Sequence, residues 1–125
     1  MTLLDARELR YRHSAGAPEA VAGTSLSVDG GEVVGVIGPN AAGKSTLARL
    51  CCGLLTPQQG SVALRGDPMA KLSRRERARR VAFLPQHPPH DLSFTARGEA
   101  LHALYPQFTG RQRARLVQRD RVNRA

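Results

Sequence analysis

The chain has no tryptophan, and aromatic residues make up only 4% of its 125 positions. So few flat rings leave little from which to build the stacking platforms used by single-stranded nucleic-acid binders. Cysteine is nearly absent too: Cys51 and Cys52 stand side by side. Adjacent thiols offer neither a disulfide framework nor the C-x-x-C spacing of a metal site, and they read as small apolar residues in a reducing compartment. No apolar run approaches the ~20 residues of a membrane helix. Met1 to Arg7 lacks the basic stretch and apolar core of a signal peptide. Acidic residues are scarce, 10 against 19 lysines and arginines, for a net charge of +9.

That excess alone would suggest nucleic acid or an anionic surface as partner. It is gathered in two places, Lys71 with Arg74, Arg75, Arg77, Arg79 and Arg80, and Arg111 with Arg113, Arg115, Arg119, Arg121 and Arg124. Both segments have helical character, where a run of charge marks a solvated face. No direct nucleic-acid partner is expected. His87-Pro88-Pro89-His90 supplies two imidazoles, too few for a zinc site.

What the chain does contain is Gly38-Pro39-Asn40-Ala41-Ala42-Gly43-Lys44-Ser45-Thr46. It fits G-x-x-x-x-G-K-[ST], the phosphate-binding loop of P-loop NTPases. Gly38 and Gly43 allow the backbone to curl so that successive N–H groups face an anion. Lys44 carries charge to the β- and γ-phosphates, and the Ser45 hydroxyl can ligate Mg²⁺. The flanks suit the motif. Glu32 to Ile37 is short, apolar and β-branched, which predicts a buried parallel strand. Lys44 to Cys52 has Leu47, Leu50 and Cys51 at helical spacing, with Gly53 as a stop, so a helix is expected from about residue 43.

The remaining pattern predicts strands over Leu3–Arg12, within Val21–Val28, over Ser61–Leu64 and over Val81–Leu84, the last halted by Pro85. Turns are expected at 14–18, 29–31, 56–60 and 65–68. Ser73, with Glu76 three residues on, reads as a capping box for a short basic helix. Helices are expected over 95–104 and 109–122, parted by Tyr105-Pro106.

The order of these landmarks resembles the ATP-binding subunits of ABC transporters. The resemblance is carried by Tyr11, "SLSVDGGEVVGVIGPNAAGKSTL", "GLLTPQQGSVALRGD" and "RRVAFLPQ" ending at Gln86, and extends to about residue 105. It implies an α/β fold, a P-loop NTPase core of ABC type with an N-terminal antiparallel β portion, incomplete at the C-terminus. By the same resemblance Tyr11 stacks on adenine. Gln86 is a Q-loop glutamine whose amide oxygen reaches Mg²⁺ and the attacking water. The implied site is Lys44 and Gln86 for catalysis, Tyr11 and residues 38–46 for ATP, and Ser45 and Gln86 for Mg²⁺. The implied partners are a transmembrane permease and a second ATP-binding subunit, at the cytoplasmic face of the inner membrane.

Two departures stand out. The family usually has glycine where this chain has Ala41, a change tolerable in a right-handed backbone. The chain also has no Leu-Ser-Gly-Gly-Gln-like signature, no apolar strand ending in Asp-Glu and no switch histidine after it. It therefore reads as the N-terminal part of a subunit about twice as long. Residues 1–92 would be the β subdomain with the P-loop and Q-loop core, and 93–125 the start of a helical subdomain with a truncated or frameshifted tail. "LSRRERARRVAFLPQ" with "SFTARGEAL" is most similar to importers of the iron-siderophore, haem and cobalamin type, while "ALYPQFTGRQRARLVQR" is closer to some exporter-type subunits. Two other readings share the loop: a non-catalytic nucleotide-binding fragment, and the N-terminal lobe of a chromosome-maintenance ATPase. The latter needs a long heptad-bearing helix after Gln86, which Pro106 opposes.

Overall fold

The computed structural model describes residues 1–86 and 105–107. The chain divides after Arg77 into two units. In the first, β1 (Thr2–Tyr11) and β2 (Val21–Asp29) form an antiparallel pair joined by a turn in which the Ala17 N–H donates to the Ser14 carbonyl. β3 (Gln59–Leu64) pairs antiparallel with the other edge of β1, and the two-residue β4 (Asp67–Pro68) folds back on β3. The order is β2-β1-β3-β4. The expected antiparallel portion is thus formed, and its central strand is the one that ends at Tyr11.

β1 is interrupted once. Glu8 has φ 48°, and the pairing with β2 slips between Ala6 and Leu9. The bulge returns Leu9 to the buried face beside Ala6. On the opposite edge Gly60 lies so close that a Cβ there would overlap the carbonyls of Arg7 and Glu8. The turn from β3 to β4 has Arg65 and Gly66 both at positive φ, as a two-residue hairpin demands.

α1 (Lys44–Cys51) begins at the expected place, and Gly53 ends it with φ 69°. Its buried residues are Thr46 and Leu50, one turn apart. Leu50 joins Ala6, Leu9, Val21, Val62, Leu64 and Met69 in the core. A 3-10 turn (Met69–Lys71) carries Met69 inward. Ser73 then opens α2 (Arg74–Arg80) with the reciprocal bonds of a capping box. The Ser73 N–H donates to the Glu76 carboxylate at 2.8 Å, and the Glu76 N–H to Ser73 Oγ at 3.2 Å. No α2 residue is buried, consistent with a solvated basic face.

Two expected strands are not formed. Residues 32–37 and 81–84 carry no strand, and Val33, Ile37 and Leu84 are 95%, 98% and 89% exposed. A parallel strand is held by neighbours distant in sequence on both edges and by cover on both faces. Among the described residues no strand is paired with either segment, so their β-branched content has nothing to pair with or pack beneath. The expected helices at 95–104 and 109–122, the boundary at 92/93, the second arginine cluster and His87 and His90 lie outside the described residues. Tyr105–Gln107 forms a 3-10 turn in the second unit, where Arg79 Nε donates to the Pro106 carbonyl at 2.9 Å.

Candidate functional site

Residues 38–46 run from an exposed loop into the first turn of α1. Gly43 is the N-cap, at φ 88° and ψ 8°, and offers no side-chain cap. Glycine is required here twice over: the backbone is left-handed, and a Cβ would overlap the carbonyl of Ala20, just before β2. The first intrahelical bond runs from the Leu47 N–H to the Gly43 carbonyl at 2.8 Å. The N–H groups of Lys44, Ser45 and Thr46 therefore have no acceptor within the helix, and they stand at its positive end.

The curl is made at only one of the two expected glycines. Gly38 is not at positive φ; the left-handed residues are Ala41, at φ 65°, and Gly43. The right-handed backbone on which Ala41 was expected to be tolerated is thus absent. A methyl group occupies a conformation that costs an L-residue roughly 1–2 kcal/mol. The loop is nonetheless closed, by the Ala42 N–H donating to the Pro39 carbonyl at 3.2 Å.

Lys44 completes the loop. Its ammonium donates to the carbonyls of Gly38 and Pro39, each at 2.6 Å. These two bonds use two of its three N–H donors and hold the charge over the loop that the motif assigns to phosphate. Ser45 is exposed.

Tyr11, at the end of β1, is connected to this helix through His13. The two rings meet edge to face with centroids 5.2 Å apart. His13 Nε2 lies 3.2 Å from Thr46 Oγ1. The segment bearing both rings is fixed from two sides. The Gln58 side chain accepts from the Arg12 N–H at 2.8 Å and donates to the Arg12 carbonyl at 3.1 Å. Glu19 pairs with Arg10 at 2.9 Å and with Arg12 at 3.3 Å. The Ala20 N–H donates to the Tyr11 carbonyl at 2.8 Å, closing the turn.

Of the residues named from sequence, the structure therefore brings Tyr11 and 38–46 together in one unit. Gln86 belongs to the other unit, exposed after Pro85. His13 and Gln58 were not singled out for the site. His13 stands two positions after Tyr11, where a donor could follow the base-stacking ring. Gln58 sits in a turn sequence, Pro57-Gln58-Gln59-Gly60, which gives no sign of its partner 46 residues away.

Cys51 ends this helix and Cys52 follows it, both half-buried. Burial, and the neighbouring Cys52 thiol after it, push Cys51 up to about 11, and burial raises Cys52. Among the described residues there is no group of three or more His, Cys, Asp or Glu able to hold a metal, and no helix long and apolar enough to cross a membrane.

A family model described as "ABC transporter" matches residues 21–124, beyond residue 105 where the sequence resemblance was expected to end. The chain is 42% identical over 98 residues to a hemin import ATP-binding protein, HmuV, of Pseudomonas putida, covering 78% of this chain and 38% of that protein. It is also 42% identical over 83 residues to a cobalamin import ATP-binding protein, BtuD, of Halobacterium salinarum, covering 66% of this chain and 21% of that one. A solved ATP-binding subunit of an ABC transporter superposes with a TM-score of 0.70 at 28% identity, over 83% of this chain and 42% of its own. A nucleotide-free ATP-binding cassette superposes at 0.56 and 29% identity, over 63% of this chain and 30% of its own. The fold is that of part of an ABC-type P-loop domain. The chain spans less than half the length of these relatives.

Proposed function

We propose that this chain, which belongs to the ABC transporter family and there to its ATP-binding subunits, holds Mg-ATP or Mg-ADP between Tyr11 and the loop 38–46. The whole subunit to which this segment corresponds would couple ATP binding and hydrolysis to transport. The observation that supports this reading most is the junction of loop and helix. Gly43 opens α1 in a conformation only glycine fits, three helical N–H groups lie without intrahelical acceptors, and Lys44 stands over the loop.

The donor set suits a polyphosphate: backbone N–H groups, an ammonium and the exposed Ser45 hydroxyl at the positive end of a helix. In this reading Lys44 would exchange its carbonyl acceptors for β- and γ-phosphate oxygens. Ser45 would hold Mg²⁺, which when bound supplies charge neutralisation between the phosphates. Tyr11 would lie on the purine. Its ring offers a flat π face and reads no hydrogen-bond pattern, so adenine and guanine nucleotides should differ little.

The hemin and cobalamin importers among the relatives support an importer of that class, with a transmembrane permease and a second ATP-binding subunit as partners and the cytoplasmic face of the membrane as its location. The ATP-binding subunit does not touch the cargo in this family, so the site carries no cargo chemistry.

The test is a thermal-unfolding series with Mg-ADP, Mg-GDP and AMP. A ligand at 100 times its Kd stabilises by about 2.7 kcal/mol. ADP and GDP should raise the midpoint similarly, and AMP, lacking the β-phosphate that Lys44 would hold, far less. No shift with any diphosphate would contradict the reading.

A further inference from the structure

Thr46 is 6% exposed, and its hydroxyl has an imidazole as partner. The pairing is between distant parts of the chain: His13 follows β1, and Thr46 is in the first turn of α1, 33 residues later. A threonine in a helix has a competing choice. Its Oγ1 can turn back to the carbonyl three or four residues before, and its χ1 divides between the two arrangements. The imidazole therefore selects the rotamer in which the hydroxyl points toward the β1 end. Its own position is set in turn, because the ring meets that of Tyr11 edge to face and the N–H and carbonyl of the intervening Arg12 are both held by Gln58.

Tyr11, His13 and Thr46 thus form a continuous physical link between the ring assigned to the base and the helix turn assigned to phosphate. We propose that His13 is a nucleotide-positioning residue, which holds Tyr11 and Thr46 in one arrangement so that base binding and phosphate binding reinforce each other. This rests on the reading of Tyr11 and 38–46 as the site of a purine nucleoside di- or triphosphate. His13, hydrogen-bonded to Thr46 and in edge-to-face contact with Tyr11, holds the ring assigned to the base in place relative to the helix turn assigned to phosphate. A nucleotide gains from both ends at once, whereas pyrophosphate or adenosine gains from one.

The experiment is calorimetric titration of the full chain with Mg-ADP, Mg-pyrophosphate and adenosine, for the wild type, His13→Ala, His13→Gln and His13→Phe. His13→Ala should lower ADP affinity about 5- to 10-fold, the loss of one hydrogen bond and its coupling, and change pyrophosphate affinity by less than about 2-fold. The glutamine amide reaches as far as Nε2, so His13→Gln should recover most of the ADP affinity, and His13→Phe, which keeps a ring but no hydrogen bond, should not. Retained pyrophosphate binding shows that each variant is folded. Equal ADP affinity in the wild type and His13→Ala, or equal losses for ADP and pyrophosphate, would overturn the inference while leaving the nucleotide site intact. Wild-type chain that bound none of the three would overturn the site and the inference together.

Discussion

The amide of Gln58 closes on both polar groups of Arg12, accepting from its N–H at 2.8 Å and donating to its carbonyl at 3.1 Å. Gln58 also donates its own N–H to the Arg10 carbonyl at 2.9 Å, so the turn after α1 continues the pattern of β1 by side chain where the strand itself ends. Arg12 lies between Tyr11 and His13, and the grip therefore fixes the segment that carries both rings.

Gln58→Ala should cost about 1 kcal/mol, two exposed hydrogen bonds at the low end of roughly 0.5–1.5 kcal/mol each because solvent compensates. Gln58→Glu keeps the acceptor for the Arg12 N–H but faces the Arg12 carbonyl with a second acceptor, and should recover only part. Urea unfolding followed by circular dichroism measures both. Wild-type midpoints in both variants would show that the grip contributes nothing.

Ala41 offers an opposite case. At φ 65° its methyl group is strained, and glycine would relieve that. The gain is offset by the extra freedom glycine has in the unfolded chain, about 0.4–1 kcal/mol. Ala41→Gly should still stabilise, by roughly 0.5–1 kcal/mol. The expected result is a higher urea midpoint at unchanged slope; Ala41→Val should move it the other way. A lower midpoint for Ala41→Gly would mean that the left-handed conformation is not populated.

The thiols give a pH dependence with a definite sign. Cys51 is held up to about 11, against an ordinary value of 9.0, by burial first and by Cys52 second. The folded state therefore keeps the proton longer than the unfolded one. The corresponding stability is fully present below pH 9 and is lost as the pH rises from about 9 to about 11. Thiolate absorbance should appear later in folded than in urea-unfolded chain, and Cys51→Ser should remove the later step. Identical titration curves in the two states would contradict this.

Local signals in the sequence carried the antiparallel portion and α1. The turn at 14–18, Gly43 and Gly53 at the ends of a helix, and the Ser73–Glu76 capping box each act within a few residues, and each is found in place. Residues 32–37 and 81–84 have equally clear β-branched content, yet a buried parallel strand exists only through neighbours far along the chain, which composition cannot supply. The loop 38–46 was legible as a motif, but not that Ala41 rather than Gly38 makes the left-handed turn. His13 and Gln58 were hidden for another reason. Each acts across a separation, 33 and 46 residues, that only the folded sheet closes.

The central claim is that residues 38–46 bind a nucleotide diphosphate through Lys44. Its most direct test is equilibrium titration of purified wild-type chain and Lys44→Ala with Mg-ADP, with unfolding midpoints taken alongside to show that both are folded. Removing the one ammonium over the loop should weaken binding roughly 10- to 100-fold, the range of a charge-assisted hydrogen bond to an anion. Equal affinity in the two proteins would contradict the claim.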